Sequence, residues 1–534
     1  MNLCPTGRVG RSARVLLVLV AGAIALALVP GSAGAAPPAA CANRNNNTYD
    51  KLLECVTVEG VRAHQAALQA IADANGGNRA AGTSGYDASV EYVIDTMEAA
   101  GWTVTTHQFD FTVAQPIRQL TPVVATHASG GVTGSALGTV TNTVTPIDIN
   151  LTPPRANTSG CDGAYTEAAV GAPLTADPGG VNDFAGFVAG RIALIQRGGC
   201  SFALKIANAQ AAGAAAVILF NQGDTPARSV TLTNITAAPP ANSASPAIAI
   251  PVVGTSFDAG ASLAQPNTTA TVAVVNDPQS NVIAELPGRT SDNVVMAGAH
   301  LDSVPAGPGI NDNGSGSAAL LEIAEQLRKL KPQNTLRFAW WGGEESGLVG
   351  STAYVDDLSA AEKDRIALYM NFDMIGSPNY IFMVYDADES SFEAPVPIPP
   401  GSTAIEDVFE SFYTQQGEPY DDTEFSGRSD YQAFIENGIP SGGLFTGAEE
   451  VKTEEQEEIW GGTAGAQFDP CYHLACDTYA NVNEHALDVN SDAIAFATLL
   501  FSYSTETVNG VRGRLPFGWP QLVTPAGPEG TFVP

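Results

Sequence analysis

Basic residues are scarce in this chain. Lys and Arg number 24 against 56 Asp and Glu, a formal net charge of −32. A surface of that sign repels nucleic acid and anionic membranes, so neither is an expected partner. Histidine is scarcer still, at six. Beyond the amino-terminal segment no apolar run is long enough to cross a bilayer, which excludes a later membrane-spanning helix. Yet the chain is not a disordered acidic polymer, because 44% of it is hydrophobic and supplies a core.

The amino terminus reads as an export signal over residues 1–35. Arg8, Arg11 and Arg14 form a basic start, Val15 to Val29 an apolar core, and Ser32-Ala33-Gly34-Ala35 a small-residue cleavage region. Its removal takes three arginines and no acid, moving the net charge to about −35. Pro38-Ala39-Ala40 is a poor context for lipidation of Cys41, so a soluble secreted product is expected. Of seven cysteines, six remain after Cys4 is lost. An even number in an exported chain indicates disulfides, with fifteen possible pairings. Proximity along the chain favours Cys41–Cys55, Cys161–Cys200 and Cys471–Cys476.

One pattern carries chemistry. His300, in Gly298-Ala299-His300-Leu301-Asp302-Ser303, is followed by Asp312, by Glu344-Glu345 after Trp340-Trp341-Gly342-Gly343, by Asp373 in Asn371-Phe372-Asp373-Met374, and by His473 in Cys471-Tyr472-His473. Imidazole and carboxylate suit borderline and hard divalent metals, and a metal pair needs a bridging carboxylate with terminal ligands on either side. The apolar runs 292–299, 335–341 and 366–372 read as buried strands, and a helical period runs from Ser315 to Leu330. Strands alternating with helices predict an α/β fold with a mixed, mainly parallel central sheet flanked by helices. His300, Glu345 and Asp373 then fall at the carboxyl ends of strands, where such sheets bind ligands.

These motifs, with Gly307 to Gly314, Phe425 to Tyr431 and Asn75 to Ala80, resemble the secreted co-catalytic di-zinc aminopeptidases, most closely the Streptomyces leucine aminopeptidase type. The resemblance covers 56–110 and 276–505. It implies a zinc exopeptidase fold, two Zn2+ ions and a monomer that removes large apolar residues such as Leu from peptides with a free amino terminus. By the same resemblance, Asp312 bridges, Glu345 and His473 serve one zinc, and His300 and Asp373 the other. Glu344 would be the general base, Tyr472 the oxyanion donor, and Asp302 the group that orients His300. Arg428, Met374, Gly427 and Phe445 match substrate-binding positions, and the Cys471–Cys476 bond is implied as a brace for the loop of Tyr472 and His473. The relatives also bind calcium at positions matching Asp488 and Asp492. Here Cys55 and Val56 stand where an acid and its neighbour are needed, so at best a weakened calcium site is expected. His64, His107, His127 and His485 fit no motif and read as structural or surface residues.

The resemblance breaks between the two catalytic segments, 41–114 and 276–505. Residues 115–275 read as a β-rich insertion with one helix from Phe202 to Ala212. Within it, Gly190 to Phe202 and Ala216 to Asn221 resemble the protease-associated domain. Residues 506–534, rich in Gly and Pro, read as an irregular tail. Two alternatives are a related di-zinc carboxypeptidase and a non-catalytic binding protein on the same fold; a single-zinc glutaminyl cyclase is a weaker third. A carboxypeptidase would cluster arginines near the motifs, where only Arg428 stands, and a binding protein would have lost ligands, none of which is missing.

Overall fold

A computed structural model describes residues 41, 43–167, 174–176, 181–233, 235–236, 247–516, 518–525 and 527–528. The expected export signal lies outside these residues. An eight-stranded sheet organises the catalytic part. Its strands are β1 (Thr103–Phe109), β2 (Gln279–Leu286), β3 (Thr290–His300), β4 (Asn334–Trp341), β5 (Ile366–Phe372), β6 (Met383–Tyr385), β7 (Asp421–Thr423) and β8 (Ser441–Phe445). They are ordered β1-β2-β4-β3-β5-β8-β6-β7. The centre, β4-β3-β5-β8, is parallel, while β1, β2 and β6 join antiparallel.

The central strands are mostly apolar and buried because both faces are covered. Alternate residues divide between two cores, as the two-residue period of a strand requires. Val295, Leu336, Phe338, Leu368 and Phe372 pack on one side, beneath helices Val58–Ala74 (α1), Gly314–Leu327 (α2) and Glu484–Tyr503 (α3). Met296, Trp341 and Tyr369 pack on the other, against Tyr354 and Phe434. Gly298 is demanded there, since a Cβ would lie 2.5 Å from the Tyr369 hydroxyl. Helix α2 begins at Asn313, whose side chain accepts from the Gly316 amide.

The chain leaves this sheet after Phe109 and returns at Gln279. Between them a seven-stranded sheet includes Thr112–Thr121 and Thr269–Asn276, so the inserted sheet starts three residues before, and ends one residue after, the expected limits. Strand Ile192–Gln196, helix Phe202–Ala211 and strand Ala216–Phe220 follow the predicted order. A second helix, Phe257–Leu263, was not expected; at seven residues it is too short to show a period, although Ser256 caps it. The described tail beyond residue 511 has no helix or strand, yet it is held against the catalytic core. Glu506–Asn509 forms a helical turn, Trp519 stacks on Phe496, and the amides of Val523 and Gly527 donate to Ser411 and Tyr420. All three favoured disulfides are present, Cys41–Cys55, Cys161–Cys200 and Cys471–Cys476.

Candidate metal centre

The carboxyl ends of β3, β4 and β5 deliver four acidic or imidazole groups to one place. His300 ends β3. Its Nδ1 lies 3.0 Å from the Asp302 carbonyl oxygen. A carbonyl only accepts, so Nδ1 carries the proton and Nε2 is free to ligate. The expected orienting role of the Asp302 side chain is thus taken chiefly by its backbone. The Asp302 carboxylate sits 3.7 Å from Nδ1 and accepts the Glu344 amide at 3.2 Å.

After β4 the chain turns through Gly342 and Gly343 into a short 3-10 turn, Glu344–Ser346. Gly343 has φ +69°, and a Cβ on Gly342 would meet the Tyr86 hydroxyl at 2.0 Å. Two glycines are therefore what lets consecutive acids enter the site. Asp373 directly follows β5. Its Oδ2 accepts from Ser429 at 2.6 Å, leaving Oδ1 3.2 Å from His300 Nε2.

Asp312 and His473 arrive on loops that are tied together. Amides of Asn311 and Asp312 donate to the two Asp477 oxygens at 2.9 and 3.0 Å. Asn311 also donates to Asp469 at 2.7 Å. Asp469 and Asp477 flank the Cys471–Cys476 bridge, so the loop bearing His473 and the loop bearing Asp312 hold each other. Buried Arg79 fixes the other side of the Asp312 loop, donating to the carbonyls of Leu301, Pro308 and Gly309. Sequence reasoning missed Arg79, Ser429 and Asp477 as site-building residues. Arg79 and Ser429 lay inside the matching motifs, but nothing local marked them as partners.

Asp312 then faces both histidines, with Oδ1 3.2 Å from His300 Nε2 and Oδ2 3.3 Å from His473 Nε2. His473 Nε2 is 2.9 Å from Glu345 Oε2. Donors on a tetrahedral ion with bonds of about 2.0–2.1 Å are about 3.3 Å apart, so these spacings fit ligand pairs. Two three-ligand groups result: His300, Glu344 and Asp373, and Asp312, Glu345 and His473. Glu344 Oε2 is the most distant from His300 Nε2, at 4.0 Å.

The electrostatics also call for cations. Burial, with Asp373, Asp430 and Glu345 nearby, pushes the Glu344 carboxyl well up; burial and Asp312 push Glu345 up to about 8. Asp312 goes the other way: burial opposes, but the facing imidazoles of His300 and His473 pull its carboxyl down. Glu345 Oε1 and Asp302 Oδ2 are buried without a hydrogen-bond partner. Crowded buried carboxylates with orphaned oxygens cost free energy that divalent cations offset, so the donor set fits metal.

A cavity of about 450 Å³ opens over the cluster. Its lining includes Met374, Gly427 and Phe445 on the apolar side, and Arg428 and Tyr472 at the rim. Tyr472 stacks on His473, with ring centroids 3.8 Å apart, and accepts from Arg428 at 3.2 Å. Arg428 also pairs with Glu449 at 2.9 Å. Tyr385, Leu348, Glu424 and Glu450 line the cavity without having been anticipated. Asp488 and Asp492 are elsewhere, on α3, and Cys55 is consumed in its disulfide. None of His64, His107, His127 and His485 joins the centre; each contacts a local partner, respectively Tyr92, Asp357, Gln119 and Glu418.

The description "Peptidase family M28" matches residues 281–498, and "PA domain" matches 147–263. An aminopeptidase of Pseudomonas aeruginosa is 45% identical over 476 residues, covering 86% of this chain and 83% of that protein. This chain belongs to peptidase family M28. The M28 region carries every residue of the metal cluster, and the PA domain is inserted ahead of it. A probable leucine aminopeptidase 2 of Aspergillus fumigatus is 44% identical over 334 residues, 61% of this chain and 65% of that protein. The solved zinc aminopeptidase of Bacillus subtilis shares the fold at a TM-score of 0.58 and 23% identity, covering 86% of this chain and 99% of that one.

Proposed function

We propose that this M28 peptidase is a metallo-aminopeptidase that hydrolyses the amino-terminal peptide bond of peptides and prefers large apolar residues such as Leu there. The observation that carries the reading is the sharing of Asp312 between His300 and His473, each with a further carboxylate of its own. Asp312 would bridge two Zn2+ ions, with His300 and Asp373 on one and Glu345 and His473 on the other. Bound zinc supplies a water of lowered pKa and positive charge for the scissile carbonyl oxygen. Glu344 is the longest contact in its group and is therefore read as the general base. It takes the proton of the attacking water and returns it to the leaving amine nitrogen. The Tyr472 hydroxyl donates to the carbonyl oxygen as negative charge develops there. Carboxylates of Glu344 and Asp373 hold the free amino group of the substrate.

Met374, Gly427 and Phe445 take the apolar side chain, whose burial gives the preference for Leu, Met or Phe. The names of the aminopeptidase relatives support the direction of attack. Arg428 is the one Lys or Arg among the described lining residues, and Glu449 already pairs with it, so a substrate carboxylate is poorly served. The carboxypeptidase alternative is disfavoured on that ground.

The same reading has the chain exported after loss of residues 1–35 and active as a monomer, with catalytic segments 41–114 and 276–505 around the insertion and a tail from 506. No helix among the described residues is long and apolar enough to cross a membrane. Calcium at Asp488 and Asp492 is assigned at most a weak stabilising role. Asp492 is pushed up to about 8 by burial and by Asp488, so the pair has use for a cation. Thermal midpoints with calcium and with a calcium chelator, compared in Asp492→Asn, test it. The enzymatic reading is tested by counting zinc in the purified protein and comparing leucine p-nitroanilide with the same compound blocked at its amino group. Cleavage of the blocked substrate at an equal rate would overturn it.

A further inference from the structure

A second cavity of about 540 Å³ lies between the PA domain and the catalytic part. Its catalytic wall includes Asp302, Glu345, Ser346 and Val349; its other wall is the segment Ser129–Ser135 of the insertion and the strand beginning at Thr112. Glu345 lines this cavity and the catalytic one alike, so the two adjoin at the turn that carries it. We infer that this cleft holds the leaving part of a peptide substrate, the residues carboxyl-terminal to the scissile bond. The inference rests on the aminopeptidase reading and gives the inserted domain a place in substrate recognition.

Three observations carry it. The first is continuity. An amino-terminal residue seated over Met374 and Phe445 leaves the rest of the peptide to run outward from the cluster, and a volume of this size suits an extended segment. The second is a fixed wall. Gly130 exchanges two backbone hydrogen bonds of 2.9 Å with Gly254, and a Cβ on Gly130 would strike the Leu232 carbonyl. At the root of the insertion, Phe111 and Val113 pack on Gly343 and Gly82, so the wall is anchored to the turn that presents Glu344 and Glu345. The third is unmet hydrogen bonding. Asp302 is a lining residue of the cleft, and its buried Oδ2 has no partner, which calls for a donor such as a bridging water toward a peptide amide.

The charge sets a preference. Asp110 is the exposed charged residue of the described lining; Asp302 and Glu345 belong to the candidate metal centre, and no Lys or Arg is among them. Peptides with Lys or Arg beyond the scissile bond should be favoured over those with Asp or Glu.

Gly131 offers a clean probe. It is exposed, lines the cleft, and has nothing within 4 Å of a built Cβ. The zinc-loaded full-length enzyme is assayed on leucinamide, which has no leaving peptide, and on the pentapeptides Leu-Gly-Lys-Gly-Gly and Leu-Gly-Glu-Gly-Gly. In Gly131→Trp, kcat/KM for both pentapeptides should fall about tenfold while leucinamide is unchanged. Gly131→Ala should match the wild type on all three. The wild type should prefer the Lys peptide, and Asp110→Asn should narrow that preference. Unchanged pentapeptide turnover in Gly131→Trp would overturn the inference, as would an equal loss on leucinamide. Failure of the wild type on leucinamide would overturn the aminopeptidase reading itself, and this inference with it.

Discussion

Ser429 donates its hydroxyl to Asp373 Oδ2 at 2.6 Å, and through that contact the metal cluster is joined to the core of the sheet. Ser429 in turn accepts from Asn371 at 2.8 Å. Asn371 accepts from the Tyr369 hydroxyl, which accepts from the Trp341 indole. Every donor in this relay comes from a strand of the sheet or from the loop of Arg428, and all are buried or nearly so. Asp373 is thereby held with one oxygen committed and the other aimed at His300. Ser429→Ala should leave the fold intact and lower zinc affinity or turnover about 10- to 100-fold, the usual cost of losing a partner behind a ligand. Chelator competition and steady-state rates on leucine p-nitroanilide measure it; wild-type values in both would remove the relay from the account.

Glu344→Gln removes a proton acceptor but leaves Asp312, Glu345 and both histidines in place. Turnover should fall by about 10²–10⁴ with zinc content unchanged. Loss of zinc in this variant would mean that Glu344 is a ligand and that its role has been exchanged with that of Glu345.

Asp312→Ala and His473→Ala should separate the two metal positions. Asp312 faces both histidines, so its loss should empty or weaken both positions, whereas His473 faces Asp312 and Glu345 alone and should weaken one. Zinc stoichiometry by elemental analysis decides it. Two zinc ions retained in Asp312→Ala would sink the bridging assignment.

A pH dependence should arise far from the metal centre. Glu406 is buried beside Asp386, Asp388, Glu410 and Asp422. Burial first, and then these neighbours, push its carboxyl up to about 9, and burial with Asp422 pushes Glu410 up to about 7. A carboxyl raised on folding stabilises the fold below its unfolded value near 4.5, and that contribution is lost as pH rises through the folded value. The denaturant midpoint should therefore fall between about pH 5 and 9. Glu406→Gln should flatten that fall and raise the midpoint at pH 8; a slope identical to the wild type would contradict the assignment.

The sequence by itself determined the covalent order of the donors, and with it the chemistry. His300, Glu344, Glu345 and Asp373 each follow an apolar run and so point to a candidate metal cluster at strand ends, because strand period and buried length are local properties; Asp312 and His473 are added to it from loops. The central strands β3, β4 and β5, the helix after Asp312 and the two halves of the PA motif were legible for the same reason. Tertiary structure alone decided what lies behind the donors. Arg79 reaches carbonyls more than two hundred residues away, Asp477 reaches back to the Asp312 amide, and the backbone rather than the side chain of Asp302 sets the His300 tautomer. Such contacts are set by how loops pack over a sheet, and no local pattern encodes them. The tail from Glu506 divides in the same way. Its Gly and Pro content is local, but Trp519 stacking on Phe496 is not. The cleft shared by the insertion and the catalytic turn exists only once both are folded, because its two walls are far apart in the chain.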